Sequence, residues 1–314
     1  MAGVPTVDLA NPTALSLEAL DGACRDHGFF LLEGHGLDAL IDRTWEQTRR
    51  FFASKHSLKL ELLRKEGLPT GYYDRELTKR LRDRKEVFDL LSPELPESIN
   101  PNVWPDWQPG FQETIGEFFA AMGEAAEKTV ALVLSALGLE GERAERHRGS
   151  PLGSLVRLNH YTLGDPAPAS ERASLAPLGD LALGPHTDPG VLTLLLQDET
   201  GGLQTESREE GWIDVPPRPG TIVVNLGDSL QVWTNDRYRA AVHRVTPMTG
   251  SDRFSIPFFL HPSFEAVIEP IPELCDGAPR YRPFTWREFG IARANDNYAD
   301  LGADDAQISD YRLP

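Results

Sequence analysis

The stretch Gly184-Pro-His-Thr-Asp-Pro-Gly190 runs straight into Val191-Leu-Thr-Leu-Leu-Leu196, and this junction limits the fold more than any other part of the chain. A short apolar run bounded by Pro and Gly reads as a buried strand. On a strand or at its end, His186 and Asp188 at i and i+2 point to the same side, so one metal ion can take both without bending the backbone. Two imidazoles and one carboxylate hold Fe(II) on one face of an octahedron and leave the adjacent positions open. The second imidazole must come from another strand brought alongside. His243, in the strand-like Val242-His-Arg-Val245, meets that need. His186, Asp188 and His243 are therefore the candidate metal ligands and the candidate catalytic centre.

From Leu155 the hydrophobic period falls toward two, and 155–161, 191–197, 221–226, 229–233, 253–260 and 264–268 read as strands punctuated by Gly, Pro or Asp. Many short strands so punctuated imply a jelly-roll barrel. Upstream, 4–8 and 29–32 read as strands. Leu15, Leu17, Leu20 and Cys24 share a helical face, and Leu37, Leu40, Ile41, Trp45, Thr48 and Phe51/Phe52 form a second apolar stripe. A stronger helix carries Ile115, Phe118/Phe119, Met122, Ala126, Val130, Val133/Leu134 and Leu137, with Gly138 as its stop. A last helix near 285–298 offers Phe289 and Ile291 for docking. The expected fold is mainly β with flanking helices: a double-stranded β-helix (jelly-roll) core with an N-terminal α/β segment and supporting helices. Residues 1–110 form the N-terminal region packed on the barrel, and 111–314 the scaffold helix, core and C-terminal helix of one structural unit.

Two segments carry no clear period. The Ala/Pro-rich stretch 162–183 leads into His186, which points to a mobile lid over the site, with a plain disordered loop as the alternative. Lys79-Arg-Leu-Arg-Asp-Arg-Lys85 is a basic cluster in an acidic chain and reads as a solvated face, with an anion-attracting rim as the alternative.

Composition narrows the partners. A formal net charge of −17 disfavours nucleic acid and anionic lipid, leaving a small-molecule substrate. The N-terminal stretch lacks a basic and apolar leader, and no apolar run approaches membrane-spanning length. Cys24 and Cys275 are too few for a disulfide framework. A cytoplasmic protein with no membrane partner is the expectation, its oligomeric state open.

The combination of His-x-Asp, a later His and Arg253-Phe-Ser255 ten residues on resembles the 2-oxoglutarate/Fe(II) oxygenases of the isopenicillin N synthase-like family. The similarity extends to Gly201-Gly-Leu-Gln204, Val224-Asn-Leu-Gly-Asp228, Arg253-Phe-Ser-Ile-Pro-Phe-Phe259, and upstream to His27-Gly-Phe-Phe30 and Gly34-His-Gly36. It implies an oxygenase that uses Fe(II), 2-oxoglutarate and O2 to oxidise, most simply to hydroxylate, a small molecule, releasing succinate and CO2. Arg253, a planar permanent cation, with Ser255 on the same strand face, suits the distal carboxylate of 2-oxoglutarate. The resemblance assigns Asn159 and Tyr161 to the same co-substrate, although Thr162 stands where relatives have proline. Neighbouring His160 faces the other way and reads as structural. Phe259, on the Ser255 face, and Tyr72, Tyr73 and Phe88 are candidates for the substrate pocket and its entrance, while Asn225 and Asp228 read as supporting or turn residues. Two alternatives stay open here: an oxidase of the isopenicillin N synthase type that needs no 2-oxoglutarate, and a non-catalytic jelly-roll metal binder.

Overall fold

Runs rich in Val, Ile, Leu and Phe assemble an eight-stranded sheet in the computed structural model, which describes residues 4–78, 80–294 and 306–314. Its spatial order is Thr6–Asp8, Phe29–Glu33, Ile222–Leu226, Leu192–Gln197, Arg253–His261, Ser150–Tyr161, Lys85–Leu91, Gly71–Tyr73. Only Thr6–Asp8 on Phe29–Glu33 is parallel; the other pairs are antiparallel. A second sheet, ordered Gly211–Asp214, Leu203–Ser207, His243–Val245, Leu183–His186, is antiparallel throughout. Together they form a jelly roll with flanking helices. The N-terminal region supplies both edges of the larger sheet, so it is woven into the barrel as well as packed on it.

Alternation along each strand divides the interior in two. Leu192, Leu194, Leu196, Ile222, Val224, Ile256, Phe258 and Leu260 point outward and pack with the helix Phe111–Ala136 in the larger core. That helix buries Ile115, Phe118, Phe119, Met122, Ala126, Val130, Val133 and Leu134, the stripe expected from the sequence. It stops at Gly138, whose φ of +75° only glycine adopts readily. The opposite strand faces, with Phe29, Leu31, Leu195 and Val223, join Leu203 and Val245 of the second sheet in a smaller core inside the barrel.

Several expectations need correction. Residues 229–233 are helical, in Asp228–Trp233. The backbone N–H groups of Gly227, Asp228 and Ser229 reach the carbonyls of Val191, Asp188 and Gly190, and the chain has to turn to present all three. Of 264–268 only Val267–Ile268 is a strand, paired with Phe284–Thr285. The last helix is seen over Trp286–Ala294, with 295–298 outside the described residues; Phe289 docks it, whereas Ile291 is exposed. The basic cluster is a solvated face only at Arg80 and Leu81, which are exposed; Arg82, Asp83 and Lys85 are buried, and Lys79 lies outside the described residues. Lys85 is buried against Glu76 at 2.8 Å and Asp83 at 3.4 Å, and Arg82 forms a two-pronged pair with Asp165 at 2.7 and 2.8 Å.

Tyr72 and Phe88 are also misplaced by the sequence reading. They face each other across neighbouring strands on the outward side and are fully buried in the larger core. Phe88 lies 4.6 Å from the Phe51 ring and 5.9 Å from that of Phe111. The Tyr72 hydroxyl donates to Glu86, which also pairs with Lys59 and His160. Neither residue reaches an entrance.

The segment 162–183 is laced to 75–84. Besides the Arg82–Asp165 pair, Arg82 Nε donates to Ala176 O at 2.7 Å, Arg84 Nε to Gly179 O at 3.0 Å, and Arg75 pairs with Glu171. The guanidinium of Arg82 holds the Asp165 carboxyl below its usual range.

Two outcomes follow from this packing. Phe88→Ala should cost about 3–5 kcal/mol in urea unfolding, the cost of a large cavity in a closed core; a loss below about 1 kcal/mol would return Phe88 to a rim. Asp165→Ala strands a buried guanidinium, at about 3 kcal/mol. Amide exchange across 162–183 should then rise roughly a hundredfold while the outer strands keep their protection. Unchanged exchange would show that the ion pair does not hold the segment.

Candidate active site

The registers of three adjacent strands build the interior wall. Arg253 lies opposite Tyr161 and Ser255 opposite Asn159, so all four share the inward face. On the next strand Lys85 lies opposite Tyr161, and Val87 opposite Asn159. Tyr73 lies opposite Val87 and joins this face, unlike Tyr72. Phe259, half-buried, lies opposite Thr193 on the other side of its strand.

The second sheet brings the imidazoles to this wall. His186 and His243 are register partners on adjacent strands, with ring centroids 4.3 Å apart. Their Nε2 atoms lie 3.7 and 3.9 Å from Asp188 Oδ1. One ligand atom from each of the three falls within 4.8 Å of the others, the spacing of donors around a single ion. Each ring is aimed by its far nitrogen, Nδ1 donating to Gly184 O at 2.8 Å in His186 and to Ala241 O at 2.9 Å in His243. This fixes the tautomer that leaves the Nε2 lone pairs facing inward. Asp188 is aimed likewise, since Thr193 Oγ1 and Asn225 Nδ2 both donate to Oδ2 and leave Oδ1 toward the imidazoles.

The electrostatics suit a cation. Burial opposes ionisation of Asp188, but His243, His186 and the bonds from Thr193 and Asn225 outweigh it and lower its pKa. Burial, with His243 next, pushes His186 down to about 3, so its ring is neutral and free to ligate near pH 7. These donors fit Fe(II), a borderline ion that accepts imidazole and carboxylate together.

Beside them Arg253 is 1% exposed, and its Nε and Nη1 have no hydrogen-bond partner among the described residues. A buried guanidinium with idle donors is costly unless an anion takes them. The Tyr161 ring lies 4.9 Å beneath it, Asn159 Nδ2 donates to Ser255 Oγ at 3.3 Å, and the buried carbonyl oxygens of Asn159 and Gln197 are also idle. This cradle fits a dicarboxylate such as 2-oxoglutarate, with the planar fork of Arg253 for its far end.

Sequence reasoning passed over Thr193, though its place between the apolar Leu192 and Leu194 puts it on the opposite, inner face, and it read Lys85 as part of a solvated cluster.

Residues 153–262 match the 2OG-Fe(II) oxygenase superfamily model, and 4–107 match the model for the N-terminal region of the non-haem dioxygenase in morphine synthesis. The chain is 33% identical over 312 residues to gibberellin 20 oxidase 1 of Arabidopsis thaliana, covering 91% of this chain and 77% of that one. Among solved structures it is similar to a full-length Neurospora crassa protein in complex with alpha-KG, at TM-score 0.75 and 26% identity over 91% of this chain and 94% of that one. It is also similar to JOX2 in complex with 2OG, Fe and JA, at TM-score 0.81 and 27% identity over 99% and 89%. Wall, ligand triad and whole-chain similarity agree: the chain belongs to the 2-oxoglutarate/Fe(II) oxygenase superfamily and is a 2-oxoglutarate-dependent non-haem iron dioxygenase.

Proposed function

We propose that this enzyme hydroxylates a small molecule in the cytoplasm, with His186, Asp188 and His243 holding Fe(II), Arg253 and Ser255 gripping the distal carboxylate of 2-oxoglutarate, and Asn159 and Tyr161 completing the cradle. The observation that carries this reading is the buried Arg253, with two idle donors on the same face as Ser255, Asn159 and Tyr161. Together, iron and 2-oxoglutarate supply the oxidising power drawn from O2, the co-substrate leaving as succinate and CO2.

The chain's own contribution is placement and exclusion of water. Thr193 and Asn225 hold one carboxylate oxygen of Asp188 so that the other faces the ion. The Gly184 and Ala241 carbonyls keep each imidazole in its ligating tautomer. Tyr161, under the guanidinium, restricts Arg253 to one orientation. Phe259, next to Thr193, and Tyr73, on the same inner face, border the substrate and shield the reacting centre. Location in the cytoplasm is supported by the sequence alone. Separately from location, no helix among the described residues is long and apolar enough to cross a membrane.

His186→Ala, Asp188→Ala or His243→Ala should abolish stoichiometric Fe(II) binding while the fold is kept; full iron occupancy in any one of them removes that residue from the triad. Arg253→Lys keeps the charge but loses the fork. The 2-oxoglutarate affinity should drop by about 1.5–3 kcal/mol, roughly ten- to a hundredfold. It is read from the metal-to-ligand charge-transfer band on anaerobic titration of the Fe(II) protein, and equal titrations in both proteins would show that Arg253 is not the anchor.

A further inference from the structure

The C-terminal helix Trp286–Ala294 reaches the ligand turn with the side chain of Arg293. Arg293 Nη2 donates to the Thr187 carbonyl at 2.7 Å, and Thr187 is the residue between His186 and Asp188. The same nitrogen stands 4.0 Å from Asp228 Oδ2, and Nη1 donates to Ala306 O at 3.4 Å. Asp228, 1% exposed, in turn gives its backbone N–H to the Asp188 carbonyl at 2.8 Å.

The two peptide planes that flank the Asp188 α-carbon are thus both clamped. Arg293 fixes the plane before it through Thr187 O, and the Asp228 N–H fixes the plane after it through Asp188 O. With two rigid planes set, φ and ψ of Asp188 are set, and with them the direction of its Cα–Cβ bond, the base from which Thr193 and Asn225 aim the carboxylate. The second clamp comes from a helix that follows directly on its own strand. The first comes from a separate element about a hundred residues on, and it is an uncommon one: a charged, nearly buried guanidinium spent on a backbone carbonyl beside a metal ligand, its charge facing a buried carboxylate. A charge-assisted bond of this kind is stiffer than a neutral one.

We propose that Arg293 is a positioning residue for the iron site, and that the C-terminal helix acts through it as a latch whose seating on the Thr187 carbonyl sets the affinity for the metal. The proposal rests on the assignment of His186, Asp188 and His243 as ligands. It extends the site to a helix with no ligand of its own and joins the ligand turn to the chain at Ala306.

The test is anaerobic Co(II) titration of the full-length apo-protein, followed by the ligand-field absorption of the bound ion, for wild type, Arg293→Met, Arg293→Lys and Arg287→Met. Arg287 lies on the same helix but pairs with exposed Glu265 at 3.7 Å, so it controls for general effects on the helix. Arg293→Met should weaken Co(II) binding roughly ten- to a hundredfold, the usual cost of losing a group that orients a metal ligand, and should shift the absorption at saturation. Arg293→Lys, which can still donate to the carbonyl, should recover part of both, and Arg287→Met should match wild type. If Arg293→Met does not fold, Arg293→Gln is read in its place. Wild-type affinity and spectrum in Arg293→Met, or weakened binding with an unshifted spectrum that tracks a fall in melting temperature alone, would overturn the latch. If wild type itself takes up no stoichiometric Co(II), the fault lies with the ligand triad and the latch falls with it.

Discussion

An ionised carboxylate inside an apolar barrel is unstable unless its surroundings make up for the lost water, and the arrangement of this protein follows from how that is done at Asp188. Two hydroxyl and amide donors take one oxygen, two imidazoles face the other, and a helix start holds the backbone. Each compensating group comes from a different stretch of chain. Thr193 and Asn225 lie on neighbouring strands of the larger sheet, whereas the imidazoles lie on the smaller one. The two sheets therefore have to close on each other for the carboxylate to be tolerable. The site and the barrel's closure are one requirement.

A second charge is handled differently. Arg253 is buried like Asp188 but keeps two donors without partners among the described residues, so the folded chain carries a cost that an anionic ligand relieves. Lys85, on the same face, is paired with Glu76 and Asp83, and burial is outweighed by these carboxylates, which raise its pKa. Two cations on one wall thus have distinct fates, one spent on the scaffold and one held open.

Much of this was legible because the decisive pairs obey a period of two. Asn159 and Tyr161, or Arg253 and Ser255, must share a face in any strand, so their grouping follows from spacing alone. Tyr72 and Tyr73 had to fall on opposite faces by the same rule, but both faces of the larger sheet are covered, one by the long helix and one by the second sheet. Hydrophobicity then cannot say which tyrosine looks inward. The short run 229–233 fits a strand or a helix equally well by pattern, and it was settled by acceptors on a turn about forty residues upstream. Arg82 looked solvated because its partner, Asp165, is remote in sequence. Misreadings of this kind arise wherever the deciding partner is distant in the chain.

The position of Arg253–His261 in the larger sheet has a consequence for how the molecule comes into being. This strand is the seam of that sheet, with four strands on one side and three on the other, yet it is the last of the eight in the chain. A ribosome emits both halves before it emits the piece that joins them. Until then Leu192–Gln197 and Ser150–Tyr161 each present an open edge flanked by apolar side chains, which invites pairing with other nascent chains. Efficient production should depend less on the barrel's final stability than on how long those two edges wait, so slow translation between residues 200 and 253 is the interval in which a chaperone has most to protect.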